Sequence, residues 1–168
     1  LQITAVVTDA ALRVAEHDSA VAGHRWLERP TEYLLTAIAN MDSTPFAYAL
    51  AFSVRFLDAL NKSRPADAEP LLERLGTLIP ADGRLQVTGG AEGEILHPLD
   101  IAPHAGGAAR TLFTGDVIAA DLDRLAGLQQ DDGGWVVDFP SPSPAGALEW
   151  RGYATVQAVQ ILSVAQPA

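Results

Sequence analysis

The segment from Pro45 to Leu60, PFAYALAFSVRFLDAL, is apolar almost all round when its residues are placed on a helix. Such a helix has no face to offer to water, so other elements have to surround it. Apolar residues at helical spacing also occur from Thr4 to His17 and from Gly115 to Gln130. The pattern predicts an all-α protein built around a buried central helix.

The composition is that of one globular domain. The chain has 168 residues, of which 48% are hydrophobic and 19% charged, and this is enough apolar material for a single core. The net charge of −10 argues against a nucleic-acid partner, because phosphate binding depends on Lys and Arg. The absence of cysteine excludes disulfides and any zinc site with a Cys ligand, and fits a cytoplasmic location.

We therefore predict one domain over residues 1–168, with a Gly/Pro-rich irregular insertion at 80–107. Within the insertion, RLQV and EILH flank TGGAEG and could form a small hairpin. No apolar run is long enough to span a membrane. We expect no cofactor and no metal. Leu1 stands where a start Met would be, which suggests processing or a longer protein with a missing N-terminal half.

Three helices end in a similar way, which indicates an internal repeat. Two apolar residues three positions apart are followed, four residues on, by an Asp in a turn. The matching sets are Leu35, Ile38, Asp42; Leu75, Leu78, Asp82; and Leu125, Leu128, Asp132. This spacing predicts stacked helical hairpins of about 40–50 residues, none of which can bury its apolar faces alone.

The third of these turns, LAGLQQDDGGW at residues 125–135, resembles the QW repeat of the squalene cyclase and prenyltransferase β-subunit superfamily. The match is carried by Leu125, Gln129, Gly133, Gly134 and Trp135. The C-terminal region also resembles bacterial prenyltransferase-like proteins. The resemblance implies an α/α toroid of alternating inner and outer helices, and with at most three hairpins this chain would form a partial toroid.

The residues of this turn are predicted to be structural and not catalytic. In the family the Gln caps helix ends and the Trp packs over the turn. Here glycines allow a tight turn and carboxylates can cap its free amides. The predicted structural residues are Gln129, Asp131, Asp132, Gly133, Gly134 and Trp135.

The catalytic motifs of the family are absent. There is no Asp-X-Asp-Asp string, no Asp-Asp-X-X-Asp string and no cysteine for a zinc site. The nearest string is DLDR, Asp121 to Arg124, which lies within a helix, with Asp121 and Asp123 on different sides. We expect it to be a solvated helix face.

Two segments carry candidate chemistry. His97, Asp100 and His104 of HPLDIAPH could act as acid and base or hold a divalent metal; the alternative is that they are ordinary loop residues, with Asp100 capping a turn. In ALEWRGY, Glu149 is placed in the first turn of the last helix, where the helix dipole favours a carboxylate. We predict His97, Asp100 and Glu149 as catalytic candidates, His104 as a ligand contact, and no bound metal.

Aromatic side chains supply the candidate ligand site. Tyr48, Phe52 and Phe56 form a stripe along the buried helix, and Trp150 shares a face with Tyr153 on the last helix. Inward-facing aromatics of a toroid could hold an isoprenoid chain or stabilise a cation. The alternative for Phe52 and Phe56 is plain core packing. Tyr48, Phe52, Trp150 and Tyr153 are the predicted ligand-binding residues.

Three functions remain open on the sequence. The leading one is an isoprenoid-binding protein or a terpene cyclase- or prenyltransferase-like protein with an apolar central pocket, whether or not it is catalytic. The second is a carbohydrate-active toroid enzyme, which requires two carboxylates about 5–10 Å apart, with Asp100 and Glu149 as the pair. The third is a non-catalytic half toroid that assembles with a second subunit through an apolar face.

Overall fold

A computed structural model describes residues 1–137 and 143–165. The predicted all-α class is confirmed at the level of secondary structure, since helices dominate and the sheet has two short strands. The helices are α1 Gln2–Ala15, α2 Ser19–Ala22, α3 Glu28–Ala39, α4 Ala47–Asn61, α5 Pro65–Gly76, α6 Pro98–Ile101, α7 Gly115–Gly127 and α8 Pro144–Ala165. A 3₁₀ turn spans Ala108–Leu112, and strands β1 Leu85–Gln86 and β2 Ile95–Leu96 pair antiparallel.

Helix α4 is the centre of the core, as its all-round apolar sequence predicts. It packs between α1 and α5 and also contacts α6. Most of its side chains are buried, and the partly exposed ones include Tyr48, Phe52 and Arg55. Its largest fully buried side chains are Leu50, Val54, Phe56, Leu57 and Leu60.

A buried carboxylate ties three elements together. Asp58 on α4 accepts a hydrogen bond from the backbone N of Ala109 at 2.8 Å and pairs with Nη2 of Arg13 on α1 at 3.1 Å. A side chain at Gly107 would clash with this carboxylate. The contact holds the 3₁₀ turn against the central helix, because an unpaired buried carboxylate would be costly.

Residues 80–107, predicted as an irregular insertion, contribute to the core. The predicted hairpin is present, with Leu85 opposite Leu96. The short helix α6 follows it directly, and both pack their apolar side chains inward. The buried residues of this segment include Leu85, Val87, Leu96, Leu99 and Ile101.

Helix α2 is a single short turn that ends at Ala22. Asp18 caps its start by accepting from Ala20 N at 2.8 Å, and Gly23 ends it.

Within the part of the chain that the structure describes, no helix has an apolar stretch long enough to cross a bilayer.

Candidate functional site

A cleft of about 840 Å³ lies between α4 on one side and α8 on the other. The hairpin and α6 form its third wall, and the end of α7 and the segment after it form the fourth. Most of the lining is apolar. The aromatic side chains that line it are Tyr48, Phe52, Trp135, Trp150 and Tyr153.

The structure brings together four of the five residues predicted to bind ligand, from two helices far apart in sequence. Tyr48 and Phe52 come from α4, with ring centroids 5.5 Å apart. Trp150 and Tyr153 come from α8 and meet edge to face at 5.8 Å. Phe56, the third member of the α4 stripe, is fully buried and belongs to the core.

The hydroxyl groups of the two cleft tyrosines take part in hydrogen bonds with neighbouring side chains. The Tyr48 hydroxyl donates to Oε1 of Glu94 at 2.5 Å. The other carboxylate oxygen of Glu94 accepts from Ala91 N at 2.8 Å. Gln157 donates to the Tyr153 hydroxyl at 2.8 Å. These contacts orient the rings of Tyr48 and Tyr153.

The predicted acid–base residues His97 and Asp100 also line the cleft. The Asp100 carboxylate accepts from the backbone N of His97 at 2.8 Å, which caps the start of α6. The Asp100 carbonyl accepts from the guanidinium of Arg55. Burial raises the pKa of Asp100, whereas burial and the nearby charge of Arg124 lower the pKa of His97. The lowered pKa favours the neutral form of the His97 imidazole.

The expectation that DLDR forms a solvated helix face is wrong for Asp121. Asp121 is 5% exposed. Its carboxylate accepts a hydrogen bond from Leu99 N at 2.8 Å and another from Nε of Arg124 at 2.5 Å. The Nδ1 atom of His97 lies 3.7 Å away. Helix α6 packs against α7, and a carboxylate on α7 satisfies an amide at the start of α6. Asp123, on another side of α7, is exposed.

Two candidate residues do not line the cleft. Glu149 is exposed on α8, outside the cleft lining. His104 follows α6 and lies near Arg13. Partial burial and the charge of Arg13 lower the pKa of His104 to about 4, while the rest of the residue is exposed to solvent. The pairing of Asp100 with Glu149 across one cleft is therefore not formed.

The QW-like turn closes the end of α7 and holds α8. The indole Nε1 of Trp135 donates to the Leu125 carbonyl at 2.7 Å, and its backbone N donates to Oγ1 of Thr155 at 3.0 Å. Gln129 donates to the Gly133 carbonyl at 3.0 Å. Gly133 has φ of 84°, a conformation that favours glycine. Trp135 thereby joins the last turn of α7 to the middle of α8.

The turns at residues 80–84 and 130–134 have the same geometry, fifty positions apart. Gly83 N donates to the Pro80 carbonyl and Gly133 N to the Gln130 carbonyl, both at 2.8 Å. Both glycines have positive φ. In each turn the Asp carboxylate accepts from the amide two residues later, at 3.1 Å for Asp82 and 3.2 Å for Asp132. Leu85 and Trp135, which follow the two turns, are both buried.

Substitution of the two adjacent aspartates in the turn at residues 130–134 should affect thermal stability to different extents. Asp132 accepts from Arg151 on α8 and from Gly134 N, whereas the Asp131 side chain is exposed and has no partner among the described residues. We expect Asp132→Asn to lower the melting temperature slightly and Asp131→Asn to leave it unchanged, as measured by thermal unfolding.

The difference in melting temperature between the parent and Asp132→Asn should depend on pH, because the Asp132 carboxylate is charged only above its pKa. The hydrogen bond from Arg151 lowers the pKa of Asp132 below its ordinary value of 3.8. A carboxylate whose pKa is lower in the folded than in the unfolded protein stabilises the fold at any pH above its unfolded-state pKa. This stabilisation is lost as the pH falls through its folded-state pKa. The melting temperatures of the parent and Asp132→Asn should therefore converge as the pH falls below 3.8 and the carboxylate becomes protonated. A difference that grew on acidification would contradict this role.

Sequence reasoning missed several residues of the cleft. Arg55, Glu94 and Arg124 lie in segments interpreted as helix or loop, and nothing in the sequence places them on one surface. Trp135 was assigned to the turn alone, although it also lines the cleft. Within residues 1–137 and 143–165, no group of three His, Asp or Glu side chains could hold a metal ion.

The fold and the cleft define a small helical protein with an aromatic-walled cleft. Comparison of the chain with protein-family models, with curated proteins and with solved structures gives no match.

Proposed function

We propose that this protein binds an elongated apolar small molecule, with an isoprenoid as the leading class, in the cleft between α4 and α8. The observation that carries the proposal is the convergence of Tyr48, Phe52, Trp150 and Tyr153 on one cavity. Its volume of about 840 Å³ falls within the range of small-molecule sites, roughly 300–1,000 Å³.

The charges of the cleft favour an uncharged ligand. Its lining holds two guanidinium groups, Arg55 and Arg124, and two carboxylates, Glu94 and Asp100. Arg124 is paired with Asp121, and Arg55 donates to a backbone carbonyl. A diphosphate would bring about two or three negative charges to a site with no excess of positive charge. An alcohol or hydrocarbon meets no such cost.

We also propose that the chain is a partial α/α toroid with a QW-type repeat. The proposal is supported by the shared geometry of the turns at 80–84 and 130–134 and by the way Trp135 joins α7 to α8. The carbohydrate-active alternative is not favoured, because Glu149 lies outside the cleft. The binding proposal includes no catalytic step.

The binding proposal is tested by titrating the protein with farnesol and with farnesyl diphosphate and following tryptophan fluorescence. Trp135 and Trp150 line the cleft, so a ligand there should change their emission. We expect farnesol to saturate the signal and farnesyl diphosphate to bind at least tenfold more weakly. Cellobiose should give no change. Saturation by cellobiose alone would favour the carbohydrate alternative.

A matched pair of variants locates the site. Tyr153 lines the cleft and is 53% exposed, whereas Tyr33 lies outside it and is 51% exposed. We expect Tyr153→Ala to weaken farnesol binding about tenfold, the effect of losing about 1.4 kcal/mol of aromatic contact. Tyr33→Ala should leave it unchanged. No farnesol binding by the folded parent, or equal losses in both variants, would overturn the proposal.

A further inference from the structure

The outer face of α8, directed away from the cleft, is apolar and uncovered by the described residues. Leu148 is 71% exposed, Val156 57% and Val159 51%. Gly152 and Ser163 share this face and are exposed. With about 3.6 residues per turn, positions 148, 152, 156, 159 and 163 form one continuous stripe along the helix.

The side chains of this stripe are complementary to those of a second copy of the stripe that runs in the opposite direction. In an antiparallel pair of α8 helices centred between residues 155 and 156, the large Leu148 faces the small Ser163 of the partner subunit. Likewise Gly152 faces Val159 of the partner subunit, and the two Val156 side chains meet next to the axis. Matching large with small side chains lets two helices pack closely.

The charges on α8 agree with a symmetric pair. The stripe itself has no ionisable residue, and Glu149 borders it. In the antiparallel arrangement the two copies of Glu149 are about 20 Å apart along the axis, since a helix rises about 1.5 Å per residue. That distance exceeds the Debye length of about 8 Å at physiological salt, so their repulsion is screened.

We propose that a second copy of this chain covers the stripe, forming a two-fold dimer through antiparallel α8 helices. A two-fold interface uses the same patch on both subunits, which is what a self-complementary stripe provides. One pair of helix faces is smaller than a stable interface of about 1,200 Å², so the association should be weak and depend on concentration. Each copy carries a net charge of −10, so added salt should strengthen it.

Cysteine cross-linking tests the arrangement directly, because the chain contains no cysteine. We expect Val156→Cys, next to the two-fold axis, to form a disulfide-linked dimer on mild oxidation. Leu148→Cys alone and Ser163→Cys alone should not, since like positions lie about 22 Å apart along the helices. The double variant Leu148→Cys/Ser163→Cys should cross-link. Ala147 is exposed on another side of α8, so Ala147→Cys measures the amount of cross-linking that random collision produces.

Sedimentation analysis over a range of protein and salt concentrations gives an independent readout. We expect Gly152→Leu to abolish dimerisation without destabilising the monomer, because a side chain at Gly152 meets open space and leucine is the better helix former. A monomer at every concentration, dimerisation weakened by salt, or equal cross-linking of Val156→Cys and Ala147→Cys would overturn the proposal. A monomer would leave the stripe to a different protein.

Discussion

Replacing Trp135 by alanine is expected to lower the free energy of unfolding by about 3–5 kcal/mol, the usual cost of removing a large buried aromatic side chain. Trp135 is 5% exposed, and its indole donates to the last turn of α7. The substitution removes both the packed ring and the donor for the Leu125 carbonyl. Urea unfolding followed by circular dichroism measures the loss.

Two control variants separate the causes of this loss. Trp135→Phe retains a ring but not the N–H group, so it should cost less than the alanine variant. Trp26→Ala removes a tryptophan that is 45% exposed, and its cost should stay near that of a surface substitution, about 0.5 kcal/mol. If Trp135→Ala and Trp26→Ala were equally stable, Trp135 would not join α7 to α8.

Replacing Asp121 by alanine is expected to lower the free energy of unfolding by about 3 kcal/mol. Removing one partner of a buried ion pair costs about 3–5 kcal/mol, and the lower end applies because Arg124 reaches solvent. The Leu99 amide, which donates to Asp121 at 2.8 Å, would then be buried without an acceptor. Chemical denaturation of the variant and the parent gives the difference.

The neighbouring carboxylate provides the control for this prediction. Asp123 lies two residues further along α7 and is exposed, so Asp123→Ala should change stability by no more than about 0.5 kcal/mol. Hydrogen exchange supplies a local test, because the Leu99 amide should exchange faster in Asp121→Ala than in Asp123→Ala. Equal exchange in the two variants would show that Asp121 does not hold α6.

These residues show why the site could be predicted only in part. The aromatic positions of α4 and α8 were predicted from spacing, because a helix fixes which of its own residues share a face. Asp121 was misassigned because spacing cannot show what packs against that face. Its burial depends on the start of α6, where the Leu99 amide donates to it from twenty-two positions away in the chain.

Arg55 and Glu94 illustrate the same limit within the cleft. Arg55 lies on the apolar α4 and its guanidinium is held by the Asp100 carbonyl. Glu94 precedes β2 and receives the Tyr48 hydroxyl. Each pair spans more than forty residues of sequence, and no local pattern predicts which distant group will satisfy a charged side chain.

The helical class, the burial of the central helix, the hairpin and the glycine-dependent turn at residues 129–135 are all predictable from sequence patterns. All of these depend on periodicity, capping and backbone conformation over a few residues. Three other features are not predictable in this way: α4 and α8 face one another across a cleft, Glu149 lies outside it, and Asp121 lies beneath α6. Those outcomes depend on how the elements pack, because burial and pairing are set by neighbours distant in the chain.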